Sequence, residues 1–153
     1  MQKLLYLKGK ELCNVYKEYI HIQGDPRPIF HKPYFCLPDR HYVAMFLKDA
    51  KASVGKRKGV PNMYPQKNVN FYTKLEKVPI YWLQGTKVTD IFELYIIATN
   101  RRIGFCIQFE FGHNIVGYQL PGGGIEILID ADLEALGYRK EIVDEDFGFR
   151  YKI

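Results

Sequence analysis

The clearest pattern in the chain is a strict alternation of apolar and other residues between positions 103 and 111. Every second position there is apolar: Ile103, Phe105, Ile107, Phe109 and Phe111. Successive side chains of a β-strand point to opposite sides, so this spacing gives one apolar face. The alternation predicts a strand with that face in the core.

Shorter apolar runs bounded by turn residues predict further strands. They are Val78–Leu83, Glu93–Thr99, Ile115–Leu120 and Ile125–Ile129. Asn100-Arg101 is expected to join the alternating strand to the run before it. Gly112-His113-Asn114 is expected to turn the chain into the run that follows. These segments predict an antiparallel meander in the second half of the chain.

The first half shows a different spacing, which predicts helices. Apolar residues recur three and four positions apart between 11 and 23: Leu12, Val15, Tyr16, Tyr19 and Ile20. A second helix is expected from Asp39, as its N-cap, to Ser53, although Tyr42–Leu47 also suits a strand. Asp130 is expected to cap a short third helix that ends at Gly137.

Helices in the first half and a strand meander in the second predict an α+β fold. We expect an antiparallel sheet of about four to six strands and about two to three helices, packed as a single layer on one face. A length of 153 residues fits one domain spanning residues 1–153.

Composition indicates the setting in which the protein works. The three cysteines, Cys13, Cys36 and Cys106, are odd in number and irregularly spaced, which favours reduced thiols and a cytoplasmic location. The longest apolar stretches fall far short of the roughly 20 residues that a membrane-spanning helix needs. We therefore expect no membrane partner.

Charge is distributed unevenly along the chain, although the net charge is only +5. Residues 48–77 hold eight bases and two acids, whereas residues 126–153 hold eight acids and four bases. Glycines and prolines around Lys56-Arg57-Lys58 predict a basic exposed loop at about residues 54–68.

This basic loop carries the main functional hypothesis. Cations that release counterions bind phosphates, and exposed aromatic side chains stack on single-stranded bases. The expected contact residues are Lys56, Arg57, Lys58, Tyr64, Lys67, Tyr72, Arg101 and Arg102. The sequence thus predicts a non-enzymatic protein that contacts DNA, RNA or a nucleic-acid–protein complex. A charge run is also typical of a solvated loop that keeps a protein soluble.

Motifs for metal or cofactor binding are incomplete. Leu120–Glu126 resembles the opening of the Nudix hydrolase signature, but the Arg-Glu and Glu-Glu pairs of that signature are missing and an apolar alternation follows. The histidines have no cysteine at metal-ligand spacing: His21, His31, His41 and His113. Helix capping explains the alternating acids Asp130, Asp132 and Glu134. We therefore expect no cofactor and no metal.

Two alternative functions stay open. Opposite charges and many tyrosines suit a protein–protein interaction or inhibitor module, or a homo-oligomer. The other alternative is a small enzyme acting on a nucleotide or another anionic molecule. His113, Glu110 or the acids at 130–134 would then supply acid–base or metal-binding groups.

Overall fold

The computed structural model describes residues 7–38, 41–48, 51–58, 66–67, 71–120 and 125–142. These residues form strands β1 to β11: Asn14–Ile22, Ile29–Cys36, His41–Lys48, Lys51–Lys58, Gln66–Lys67, Phe71–Lys77, Val88–Ile96, Arg101–Phe109, Asn114–Gln119, Ile125–Ile129 and Tyr138–Ile142. A 3-10 turn, Glu110–Gly112, follows β8. None of the described residues lies in an α-helix. The structure is almost entirely antiparallel β, so the predicted α+β fold with two to three helices is wrong.

The first sheet has the strand order β4-β3-β2-β1-β6-β5, and all neighbours are antiparallel. Strand β1 lies near its centre, where Val15 faces Phe35 of β2 and Tyr19 faces Lys74 of β6. Cross-strand partners share a face of the sheet. The register therefore decides which side chains of the first sheet can act together.

Strands β3 and β4 form a hairpin at one edge of this sheet. The pairing of β3 with β2 covers only Tyr34–Cys36 and stops at Pro33, which has no backbone N–H. Pairing between β3 and β4 continues further, to Lys48 opposite Lys51. The distal half of the hairpin is thus a two-stranded ribbon that extends past the ladder with β2.

The second sheet has the strand order β10-β9-β8-β7-β11, again antiparallel throughout. Glycines allow β8 and β9 to approach each other closely. A Cβ atom on Gly104 would lie 2.0 Å from the carbonyl oxygen of Gly117, and a Cβ atom on Gly117 would lie 2.2 Å from the ring of Phe105. The Phe105 ring therefore covers Gly117, its cross-strand partner.

One apolar core lies between the two sheets. Both sheets contribute fully buried side chains, among them Val15, Phe35, Ile91, Phe105, Ile107 and Ile115. A second cluster lies on the outer face of the second sheet: Phe92, Leu94, Cys106 and Val116. Residues after β10, including Ala131 and Leu133, pack against this cluster. The central strands of the second sheet are consequently buried on both faces.

The first predicted helix, Glu11–Gln23, is replaced by β1. Val15 packs in the core between the sheets, whereas Tyr16 packs in a separate cluster with Tyr34 and Leu75. Because both sides of this strand carry apolar residues, their positions imitate helical spacing. The segment is also rich in Val, Tyr and Ile, which favour strands.

The other predicted helices are wrong as well. Strands β3 and β4 occupy the second, which confirms the strand alternative for Tyr42–Leu47, while Asp39 lies outside the described residues. Asp130 has a φ angle of 53°, not the extended backbone of an N-cap. Residues 131–137 form turns that return the chain to β11.

The strand predictions in the second half of the chain are more accurate than the helix predictions in the first half. Ile125–Ile129 is confirmed as β10, and β7 and β8 form the predicted hairpin. The Val78–Leu83 strand is wrong, because this stretch is irregular with a turn at Tyr81-Trp82. Phe111 does not belong to the apolar face of β8, since it is 87% exposed with a φ angle of 63°.

Across the described ranges, no helix has the length and apolar character needed to cross a bilayer.

Candidate functional sites

The residues predicted to form one nucleic-acid surface lie in separate places. Lys56, Arg57 and Lys58 are on β4, and Lys67 is on β5. These strands are opposite edges of the first sheet. Five steps at about 4.8 Å each place the two edges roughly 24 Å apart. Tyr64 lies outside the described residues.

Lys56, Arg57 and Lys58 belong to a strand and not to the predicted loop. They lie opposite Val43, Tyr42 and His41 of β3. Their strand approaches the second sheet, because Cα atoms of β4 lie within 8 Å of Cα atoms of β8. The three basic residues therefore lie on a regular strand whose backbone is paired with β3.

At the opposite edge, Tyr72 stacks on the ring of His21. The two ring centroids are 4.6 Å apart and the planes differ by 4°. Tyr19 lies two residues before His21 on the same face, opposite the exposed Lys74. Burial, followed by the nearby carboxylates of Glu76 and Glu126, raises the pKa of Tyr19. This edge combines aromatic rings and lysines, but acids accompany them.

The two arginines at the start of β8 differ in their surroundings. Arg102 lies 3.8 Å, Nη1 to Oε1, from Glu93, a residue that is only 5% exposed. The Tyr95 hydroxyl donates to the other oxygen of Glu93 at 2.7 Å, and this bond is the main reason that the pKa of Tyr95 is raised. Arg102 therefore balances a buried carboxylate, whereas Arg101 is exposed.

A separate polar cluster forms where the turn after β8 meets the end of β10. The Nδ1 atom of His113 lies 3.0 Å from Oδ1 of Asp130. The other carboxylate oxygen accepts a hydrogen bond from Nε1 of Trp82 at 2.9 Å. The Trp82 and His113 rings stack in parallel, with centroids 4.4 Å apart and planes 8° apart. We call these three residues the His113 cluster.

Backbone contacts hold the His113 cluster in place. The backbone N–H of Asn114 also donates to Oδ1 of Asp130, at 3.3 Å. The Asn114 side chain donates to the carbonyl of Ala131 and accepts from its N–H, both at 2.9 Å. Asp130 itself has a left-handed backbone, a conformation that aspartate tolerates better than most residues. The turn is thus fixed on both sides of the carboxylate.

Exposed aromatic rings stand beside the cluster. Tyr81 is 92% exposed, and its ring meets the His113 ring edge-on with centroids 6.3 Å apart. Phe111, two residues before His113, is 87% exposed and has a left-handed backbone. Two exposed rings beside a polar cluster, one of them on a left-handed residue, make this surface a candidate for ligand contact.

The other acids proposed from the sequence have structural partners. Glu110 accepts a hydrogen bond from the backbone N–H of Lys87 at 2.7 Å and so ties the turn to β7. Asp132 accepts one from the N–H of Ala135 at 3.3 Å. In the part of the chain that the structure describes, no group of three or more metal-ligating side chains comes together.

Sequence reasoning singled out His113 and Asp130 but missed their pairing and the part played by Trp82. Along the chain, His113 lies 17 positions from Asp130 and Trp82 lies 48 positions from it. Trp82 lies in a segment predicted as a strand, and Asp130 was interpreted as a helix cap. The only local signal was a histidine within a turn.

No protein-family model, curated protein or solved structure matches the chain.

Proposed function

We propose that this protein contacts nucleic acid through the hairpin of β3 and β4, with the exposed Arg101 as a second contact. One observation carries the proposal. Between His41 and Lys58 the hairpin contains five bases and a single acid, Asp49, in the residues that join the two strands. We call this segment the basic hairpin.

The shape of the basic hairpin suits the proposal. Each strand has eight residues, which corresponds to about 26 Å of extended chain. In the described pairings, the distal half is bonded within the hairpin alone and contains Lys48 and Lys51, whereas Lys56, Arg57 and Lys58 lie at its base, where β3 also pairs with β2. A two-stranded antiparallel ribbon fits the major groove of B-DNA, and positive charge attracts the phosphates on either side.

Other regions with basic residues support a weaker contact. At the β5–β6 edge, Lys67 and Lys74 are accompanied by Glu76 and Glu126. Lys17, nearby on β1, forms an ion pair with Glu126 at 3.5 Å. Internal acids reduce the number of counterions that a contact with phosphate would release.

The experiment compares the salt dependence of binding for two triple variants. Lys56→Ala/Arg57→Ala/Lys58→Ala removes three charges from the basic hairpin. Lys74→Ala/Lys77→Ala/Lys87→Ala is the matched control, because all three side chains are exposed and lie outside it. Binding to a labelled duplex and to the corresponding single strand is measured by fluorescence anisotropy from 50 to 200 mM salt.

We expect the hairpin variant to lose affinity for all sequences alike. If all three bases contact phosphates, the slope of log K against log salt decreases by about 2.7 for duplex DNA. The control variant should keep most of the wild-type slope. Equal losses in both variants, or wild-type protein that ignores DNA and RNA at 50 mM salt, would refute the proposal.

A homo-oligomer formed through β4 is less favoured by the geometry. Lysines on an edge strand oppose the addition of another strand, and β4 contains Lys51, Lys56 and Lys58. Sedimentation velocity across a range of protein concentrations tests this alternative, since a mass that rises with concentration would support it.

We further propose that the protein works in a reducing compartment such as the cytoplasm. Each of the three cysteines is a thiol outside any disulfide, and Cys36 and Cys106 are buried. Reduced thiols are typical of such compartments. Rapid alkylation in cells followed by mass spectrometry should find all three thiols reduced; a disulfide would contradict this location.

A further inference from the structure

The His113 cluster is not used by the proposed nucleic-acid contact. It lies after the Phe109 end of β8, whereas Arg101 begins that strand. Nine residues of β-strand separate these ends by about 27 Å. The His113 cluster is therefore considered as a separate site.

The hydrogen bonds determine which nitrogen of His113 is available. An ionised carboxylate only accepts, so the bond to Asp130 requires that Nδ1 of His113 carry the proton. In the neutral form of the ring Nε2 then holds the lone pair, and it makes no hydrogen bond within the described part of the chain. The His113 side chain is 24% exposed. Solvent therefore reaches part of the His113 side chain, and the bond to Asp130 fixes the direction in which Nε2 points.

The carboxylate is itself held by three donors. Trp82 Nε1, His113 Nδ1 and the Asn114 N–H all approach Asp130. A carboxylate oriented in this way fixes the tautomer of its histidine and stabilises the imidazolium that forms when Nε2 takes a proton. Trp82 and Asp130 are therefore positioning residues, and His113 is the residue that would contact a substrate.

Neighbouring residues restrict the substrate class. The exposed rings of Tyr81 and Phe111 offer apolar contact to a planar group. Acids accompany the cluster along the chain, since Glu110 lies three residues before His113 and Asp132 lies two residues after Asp130, although the exposed Lys87 lies beside Glu110. Like charges disfavour an anionic ligand, which counts against the nucleotide substrate considered from the sequence. An uncharged ligand with an aromatic ring fits best.

We propose that the His113 cluster is a general-base site that hydrolyses uncharged aryl esters. Nε2 of His113 removes a proton from water as the water oxygen bonds to the acyl carbon. The bond from the acyl carbon to the aryl oxygen then breaks, and the proton passes from Nε2 to the departing oxygen. The net reaction is ester plus water to acid plus phenol, which needs no further reactant.

The test measures hydrolysis of 4-nitrophenyl acetate, an uncharged aryl ester, by the full-length protein. Positioned general bases contribute roughly 10²- to 10⁴-fold to rates. We expect His113→Gln to lower kcat/KM by at least about tenfold. His21→Gln is the matched control, because His21 also stacks on an aromatic ring but no carboxylate bonds to it in the described structure. Its rate should equal that of the wild type.

Further measurements separate a positioning role from a purely structural one. Asp130→Asn should lower kcat/KM and alter its pH profile, because the amide no longer stabilises the imidazolium. Trp82→Phe keeps a stacked ring but loses the N–H donor, and its rate should lie between those of the wild type and Asp130→Asn. Circular dichroism and thermal melts establish that each variant is folded.

The outcomes are decisive for the site and independent of nucleic-acid binding. Slower hydrolysis in heavy water, together with the loss in His113→Gln, supports general-base action. An acyl-histidine intermediate, equal rates for His113→Gln and the wild type, or faster hydrolysis of an anionic ester would overturn the proposal. His113→Gln should bind DNA as the wild type does, whereas the hairpin variant should keep esterase activity.

Discussion

The two sheets differ in how far their faces are covered, and this difference organises the molecule. In the second sheet, Leu94, Cys106 and Val116 are at most 1% exposed although they lie on its outer face. In the first sheet, β1 ends with the half-buried His21 and the exposed Ile22. Its β3–β4 edge extends beyond the ladder with β2. The second sheet is therefore covered along its central strands, while in the first sheet β1 is covered at Tyr16 and becomes exposed toward Ile22.

Both candidate sites lie at the margins of the sheets. The basic hairpin is an edge of the first sheet, and the His113 cluster lies in turns at one end of the second. Functional side chains need access to solvent, and a rigid scaffold positions the turns that carry them. The comparison predicts that substitutions in the centre of the second sheet cost stability, whereas substitutions at these margins cost function.

The largest effect should come from adding one methyl group to the second sheet. In Gly104→Ala the new Cβ atom would lie 2.0 Å from a backbone oxygen and 2.8 Å from the Cα atom of Tyr118. Backbone cannot give way as a side chain can, so we expect a loss of about 3 kcal/mol or more in the free energy of unfolding. Urea denaturation of the wild type and of Gly104→Ala measures this loss in the free energy of unfolding.

The same substitution in a turn that connects two strands of the first sheet should cost less. Gly24 lies in the β1–β2 connection with a φ angle of 86°, and a Cβ atom there would meet nothing within 4 Å. Gly24→Ala should therefore lose only the conformational cost of a left-handed residue, about 1 kcal/mol. Equal losses in the two variants would contradict the contrast between the sheets.

The next effect is a dependence of stability on alkaline pH. Burial raises the pKa of Cys106 from 9.0 to about 11. The unfolded chain therefore releases this proton first, so stability is complete below pH 9 and decreases as pH rises toward 11. Two pKa units correspond to about 2–3 kcal/mol. Urea titrations of wild type and Cys106→Ala across this range should show a shallower decrease in the variant.

Cys13→Ala is the control for the pH effect. Cys13 is only partly buried, and its removal should leave the contribution of Cys106 in place. A decrease of equal slope in wild type and Cys106→Ala would mean that the second sheet does not shield this thiol from ionisation.

The smallest effect compares the two histidine–aromatic stacks. Double-mutant cycles measure the coupling between His113 and Trp82 and between His21 and Tyr72. Aromatic pairs contribute about 0.5–1.5 kcal/mol beyond their buried area. We expect the His113 pair near the upper value, because Asp130 bonds to both rings, and the His21 pair near the lower one. The reverse order would show that Asp130 does not couple the two rings.

The sequence by itself determined the strands that have one apolar face or clear turns. The alternation of Phe105, Ile107 and Phe109 located β8, and Ile125–Ile129 was correct at both ends. Strand β1 was misread because both of its faces are covered. Its apolar residues match neither the helical nor the strand period cleanly. Their pattern is explained by the residues that cover the two faces, Phe35 on one and Leu75 on the other.

Only the tertiary structure decided which residues of the candidate sites come together. The sequence placed Lys56 and Lys67 in one loop, but the strand order puts them on opposite edges of a sheet. The sequence did not reveal the partners of His113, because His113, Asp130 and Trp82 lie in three turns that are far apart along the chain. Side-chain chemistry can be read locally, whereas strand order and contacts between distant turns depend on how the two sheets bury their apolar faces.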